Sequence, residues 1–294
     1  TLCRTRNELF LNAIKKPAFG LLFGAICISF SSVFVNTSQV APTVSAFYRV
    51  FFGSLFIIVA CFVKGEFKVK GWKQNSQAIL CGVLFAFDLL TWHFAIKYVG
   101  PGLATILGNF QVFILAFIGI LFLKEKTGAV FYLSVPIAIF GLFLLIGVDA
   151  EQLSSDYLTG VGFGLATACF YAMFILCLRN LQGKDEHPPL FYYQMILLTA
   201  CSIFLAGSVV VSGESFIIPT STSLASLLGL GFVSQTIGWV MISFSLPGIK
   251  ASHAGLILLI QPSLSFVWDF LFFGRPTGTV GWIGLLLVLI AIYM

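Results

Sequence analysis

Charge is scarce in this 294-residue sequence: Asp, Glu, Lys and Arg together make up 9% of it. Soluble domains carry about 25%. Too few polar side chains remain to clothe a surface facing water, which excludes a soluble enzyme, a disordered scaffold and a fibrous protein. Also absent are an HExxH or Walker motif, a CxxC pair and any Cys/His set at ligand spacing, so no metal, no cofactor and no direct use of ATP is expected. Strands of alternating polarity, which an outer-membrane barrel needs, are missing too. No small-residue cleavage site follows the first apolar stretch, which is therefore expected to stay as a span.

Apolar surface is what the chain has in excess. Hydrophobic residues account for 59% of it and aromatic residues for 16%, and the mean hydropathy is +1.03. The apolar runs are continuous and about 20 residues long, the length at which a helix crosses a bilayer. These features predict an all-α polytopic membrane protein with ten transmembrane helices, at 18–37, 42–63, 75–98, 102–123, 127–147, 157–179, 189–211, 223–246, 250–272 and 277–293. Breakers or charges fill the connections: Pro42, Gly100-Pro101, Lys124-Glu125-Lys126, Gly183 to Pro189, Pro247-Gly248 and Gly274-Arg275-Pro276. The seven cysteines lie mostly inside apolar runs and read as small packing residues.

A cytoplasmic amino terminus puts Arg4, Arg6, Lys15, Lys16, Lys64, Lys68, Lys70, Lys73, Lys124, Lys126, Arg179, Lys184 and Lys250 inside. Lys97 and Arg275 then face outward, with Asp149, Glu151, Asp156 and Glu214. The positive-inside rule therefore predicts that both termini are cytoplasmic. Membrane-flanking lysines account for the basic clusters, so the partners expected are a lipid bilayer and a small-molecule substrate, with no nucleic acid.

The chain repeats itself. Gly20, Gly24, Phe30 and Phe34 recur as Gly160, Gly164, Phe170 and Phe174; Phe47-Tyr48-Arg49 recurs as Tyr192-Tyr193-Gln194. Asp88 and Trp92 match Gln235 and Trp239, and Thr127-Gly128 matches Thr277-Gly278. Residues 1–148 and 149–294 thus read as two five-helix repeats. Five is odd, so the second copy must cross the bilayer in the opposite sense, giving the inverted repeat from which many secondary transporters are built.

The segments from Trp92 to Lys126 and from Trp239 to Arg275 resemble the two halves of the drug/metabolite transporter superfamily, in particular its EamA-type family. The likeness rests on an aromatic third span, the small-residue entry Gly102-Leu-Ala-Thr105 to the fourth, and Lys124-Glu125-Lys126 at that span's end. In the second half Gln261-Pro262 carries the family's usual Pro, while Gly274-Arg275 stands where Gly-Glu is common and Gln111-Val112 departs from the pattern in the first half. The resemblance implies an exporter of small organic metabolites in a bacterial inner membrane. Its substrate cavity would be lined by spans 1, 3, 4, 6, 8 and 9, with spans 5 and 10 peripheral. A nucleotide-sugar or phosphorylated-metabolite exchanger on the same fold and a small-solute channel are the alternatives, and a monomer or weak homodimer is expected.

Ionisable groups inside a bilayer cost about 2.5–3.5 kcal/mol each on insertion scales and so face a partner or a wet cavity. Arg49, Asp88 and Asp269 are the clear cases. Asp88 and Trp92 are four residues apart, so both fall on one helical face, and Gln235 and Trp239 share the equivalent face of span 8. Such a pocket suits an amine-containing or amphoteric solute, with Asp88 receiving an ammonium, the two Trp rings forming walls and Arg49 attracting a carboxylate. An Arg49–Asp88 ion pair that merely joins two helices is the competing reading. Tyr48, Tyr193, Gln194, His93 and Gln111 complete the candidate binding set, and Asp88 is the candidate for proton coupling. Gly160, Gly164, Ala168 and Ala172 recur every four residues and predict close, sliding helix contact along span 6.

Overall fold

The fold was obtained as a computed structural model, which describes residues 17–67, 71–146, 155–183, 189–274 and 278–294. Arg4, Arg6, Lys15, Lys16, Lys68, Lys70, Asp149, Glu151, Lys184 and Arg275, on which the expected sidedness leans, lie outside these segments. The described residues contain helices and no strand. Eight helices are long and apolar enough to cross a membrane. We name them α1 (Pro17–Ser38), α2 (Pro42–Val63), α3 (Trp72–Val99), α4 (Ala104–Leu121), α6 (Tyr157–Gln182), α7 (Leu190–Ser212), α8 (Ser221–Gly248) and α9 (Ala251–Phe273). The remaining two expected spans appear as the shorter apolar helices α5 (Ala129–Leu144) and α10 (Thr279–Tyr293).

Local chemistry sets the ends. Pro42 opens α2, where its missing N–H costs nothing. Gly65, Gly213 and Gly274 end α2, α7 and α9 with φ of 65°, 70° and 61°, a left-handed turn that side chains disfavour. Thr220 caps α8 by accepting from the Ser223 amide at 3.0 Å.

Three helices are interrupted within the membrane-length segments: α1 at Phe30, α4 at Phe110, and α9 at Leu258 and Leu259. At the α1 break the Ser29 hydroxyl accepts from Trp268 Nε1 at 2.8 Å. The Ser265 hydroxyl donates to the Ser29 carbonyl at 3.0 Å, and Phe30 stacks on Trp268 with ring centroids 4.5 Å apart. A fourth irregularity is a π-helical stretch in α8, Leu230–Gly238. Breaks of this kind persist only where neighbouring groups satisfy the freed backbone, and they concentrate at functional sites.

The helices pack in a definite pattern, largely as antiparallel pairs. Along α3 and α6, Gln77 meets Cys177 near one end, the Thr167 hydroxyl donates to Thr91 at 2.9 Å midway, and Tyr98 and Val99 lie against Gly160 at the other. Along α1 and α8, Gly24 touches Gly238 and Thr37 bonds Ser226 at 2.8 Å. Helix α2 runs against α7, from Tyr48 beside Phe216 to Glu66 beside Phe191. Helix α4 runs against α9, from Gln111 beside Gly255 to Gly119 beside Ser252, while α5 crosses α10 at Gly141 and Gly284. Glycine makes several of these approaches possible: a Cβ on Gly24 would lie 2.6 Å from the Gly238 carbonyl oxygen, and one on Gly164 2.6 Å from Leu107 Cβ. Lys64, Glu66, Lys73, Glu125, Lys126, Arg179 and Lys250 gather at one end of the bundle, hereafter the lysine-rich end.

Candidate functional site

The π-helical stretch of α8 supplies Gln235 to one buried polar cluster. Helix α2 contributes Arg49, and Gly53 one turn further on leaves room for Gln235 of α8: a Cβ there would lie 2.5 Å from the Gln235 Cγ. Arg49 Nε donates to Gln235 Oε1 at 2.8 Å, and the guanidinium carbon lies 6.0 Å from the centre of the Phe85 ring. Asp88, three residues after Phe85 and so on the same face of α3, is buried at 8% exposure. Arg49 and Asp88 lie within electrostatic reach of each other. They do not form a contact ion pair, so the guanidinium is oriented by a neutral amide and the carboxylate is not consumed by it.

An aromatic cage adjoins these charges. Trp239, 3% exposed, packs its ring 4.9 Å from Phe174, 5.4 Å from Phe85 and 6.3 Å from Tyr171, centroid to centroid. Its indole Nε1 is buried with no hydrogen-bond partner. Such an atom costs about 1–3 kcal/mol, a penalty that a ligand acceptor would remove. The Tyr171 hydroxyl accepts from Gln261 Nε2 at 3.5 Å, which ties the α9 break to the cage. Cys201 of α7 is fully buried and within electrostatic reach of both Arg49 and Asp88.

The structure thus brings four of the candidate residues together: Arg49, Asp88, Gln235 and Trp239. The others are engaged elsewhere. Tyr48 donates its hydroxyl to the Phe216 carbonyl at 2.6 Å. Gln194 donates to the Ser243 hydroxyl and to the Trp239 carbonyl, supporting the cage from behind. Gln111 donates to the Gly255 carbonyl at 3.3 Å, bridging the breaks in α4 and α9, and its Oε1 has no partner. Tyr193 is buried in the main apolar core. His93 Nδ1 bonds the Leu89 carbonyl at 2.6 Å, and Trp92 packs edge-on against His93, 5.3 Å between centroids. Trp92 also borders Gly108 of α4, a turn away from the cage.

Sequence reasoning missed Phe85, Phe174 and Cys201. Phe85 has a signal, since it precedes Asp88 by three residues on one face, but Phe174 is indistinguishable among thirty-three phenylalanines. Among the described residues no group of three or more His, Cys, Asp or Glu gathers as a metal site would require.

The sequence matches the EamA-like transporter family over residues 15–147 and again over 158–294. The chain belongs to that family. An EamA-like chain need not resemble its relatives closely, and this one is 20% identical over 234 residues to an uncharacterized transporter of Bacillus subtilis (strain 168), covering 78% of this chain and 73% of the relative. It is 21% identical over 267 residues to an uncharacterized transporter of Archaeoglobus fulgidus, covering 90% of each. A solved crystal structure superposes with a TM-score of 0.80 at 13% identity over 94% of both chains, a likeness of fold. Family and relatives point to a multi-pass membrane transporter rather than an enzyme.

Proposed function

We propose that this EamA-like protein is a secondary carrier that exports small organic solutes bearing an amine, amino acids among them, by alternating access around the Arg49, Asp88, Gln235 and Trp239 cluster. The single observation that carries the reading is the pairing of Arg49 with Gln235 instead of Asp88. It leaves a buried carboxylate and a buried guanidinium both available to a zwitterion, beside an aromatic wall with an unsatisfied donor.

Exchanging each helix of 1–148 with its counterpart in 149–294 turns the α1–α8 pair into the α6–α3 pair and returns α2–α7, α4–α9 and α5–α10 to themselves. That is the packing two inverted repeats would have, and it supports a solute site between two halves that rock against each other. Asp88 is the group we assign to proton coupling. A phosphorylated solute would call for more than one cation, and Arg49 is the one cation in the cluster, so we favour the amine. We assign both termini to the cytoplasmic side from the basic-residue bias of the loops, and an inner membrane from the family resemblance.

Thermal-shift screening of purified protein against amino acids, amines, nucleosides and sugar phosphates tests the reading. Stabilisation by amino acids or amines, lost in Asp88→Asn and Arg49→Gln, is the expected result. Stabilisation by sugar phosphates alone, indifferent to Asp88, would overturn it.

A further inference from the structure

Two carboxylates of the first half bond to the second half at the lysine-rich end. Glu125, after α4, accepts from the Ala251 amide at 2.7 Å, the Ser252 amide at 3.2 Å and the Ser252 hydroxyl at 2.8 Å at the start of α9. Arg179 at the end of α6 lies 3.6 Å from the same carboxylate and donates to the Ile249 carbonyl at 3.1 Å. Lys250 reaches across in turn to the Lys126 carbonyl. Gly119 is shaped for this arrangement, because a Cβ there would lie 2.5 Å from Glu125 Oε2. Burial pushes the Glu125 carboxyl up, but the bonds from Ala251 and Ser252 and the charge of Arg179 outweigh it and hold the group below the ordinary glutamate range. Glu66, after α2, accepts in the same way from the Phe191 amide at 2.8 Å and the Tyr192 amide at 3.4 Å at the start of α7.

At the opposite end the halves meet through neutral groups, Tyr48 donating to the Phe216 carbonyl at 2.6 Å and Thr37 bonding Ser226 at 2.8 Å. Gly213-Glu214 after α7 reproduces Gly65-Glu66 after α2: both glycines are left-handed, and each Glu amide bonds the carbonyl five residues back. Yet Glu214 Oε2 is buried without a partner, where Glu66 Oε2 has two. In the sequence repeat, Thr127-Gly128 aligns with Thr277-Gly278, so the position of Glu125 is taken by Arg275 in the second half.

We propose that Glu125, assisted by Glu66, is the gating residue of the lysine-rich end, and that this charged clasp biases the carrier toward the state closed at that end. The inference rests on the carrier reading above. Its test needs no solute, so it stands or falls separately from the assignment of the binding cluster.

Cys201, buried beside Arg49 and Asp88, reports access to the centre. Purified protein is reconstituted in liposomes, a membrane-impermeant methanethiosulfonate is applied from one face at a time, and labelling of the Cys201 peptide is followed by mass spectrometry. The unmodified chain should label faster from the face opposite the lysine-rich end. In Glu125→Gln, labelling from the lysine-rich face should rise about tenfold, the scale of one charge-assisted hydrogen bond, while labelling from the other face falls. Ser252→Ala, which removes one arm and keeps the carboxylate, should shift both rates in the same sense but less. A partly unfolded variant would label faster from both faces. Unchanged rates, or rates that move together in both variants, would overturn the proposal.

Discussion

Arg49 of the first half and Gln235 of the second meet at 2.8 Å, nitrogen to oxygen, although 186 residues separate them in the chain. The amide holds the guanidinium without neutralising it. Replacing Gln235 by Leu leaves a buried charge without its acceptor, and we expect a loss of about 1.5–3 kcal/mol in unfolding stability, read by thermal denaturation in detergent. Gln235→Glu should restore stability by supplying a charged partner while abolishing solute binding, since Arg49 would then be neutralised.

Asp88 is the acid of the cluster. Asp88→Asn keeps the shape and removes the carboxyl group we assign to proton coupling, so transport in proteoliposomes should lose its dependence on an imposed pH gradient. Gradient-driven exchange at the unmodified rate would assign coupling elsewhere.

Trp239 carries a buried indole N–H that no protein group accepts. Trp239→Phe should therefore cost only the packing loss, about 1–2 kcal/mol. Solute affinity in the same variant should fall about tenfold, because the bonding partner is lost as well. Isothermal titration on both proteins separates the two effects.

The glycine contacts give graded expectations. Gly24→Ala drives a methyl group against the Gly238 backbone, which cannot yield as a side chain would, and should cost about 1–3 kcal/mol. Gly162→Ala meets nothing within 4 Å and should be neutral. Gly164→Leu should abolish transport while expression stays measurable; uptake equal to the unmodified protein would show that the α4–α6 contact does not have to move.

Glu125 sets an acid limit. Its folded-state pKa lies below the ordinary value of 4.5, so its contribution is complete at neutral pH and disappears as pH falls through the lowered value. Arg179, Lys250 and His253 are the charged or titratable groups around it. The unfolding temperature should drop on acidification below about pH 4.5, and Glu125→Gln should lower the neutral-pH value and flatten that part of the curve.

Much of the architecture was legible in the sequence, because a bilayer demands long apolar helices and breakers mark their ends. The expected 42–63 coincides with α2, and 189–211 lies within one residue of α7. The interruptions in α1, α4 and α9 were not legible. Local propensity does not break α1 at Phe30; Trp268 and Ser265, more than two hundred residues away, supply the bonds that allow it. The site divided the same way. Spacing along one helix found Asp88, and the repeat pointed to Gln235 and Trp239. Which polar side chains are already occupied, as Tyr48 and Gln194 are, depends on neighbours that only the packed bundle brings near.

The wide turn of α8 has one more consequence. A π-helical turn closes its hydrogen-bonded ring with one residue more than an α-helical turn, so Leu230–Gly238 shifts the angular register between the two α-helical parts of α8. The wider turn thus sets the angle at which α8 presents Gln235 to Arg49 and Trp239 to Phe85 and Phe174.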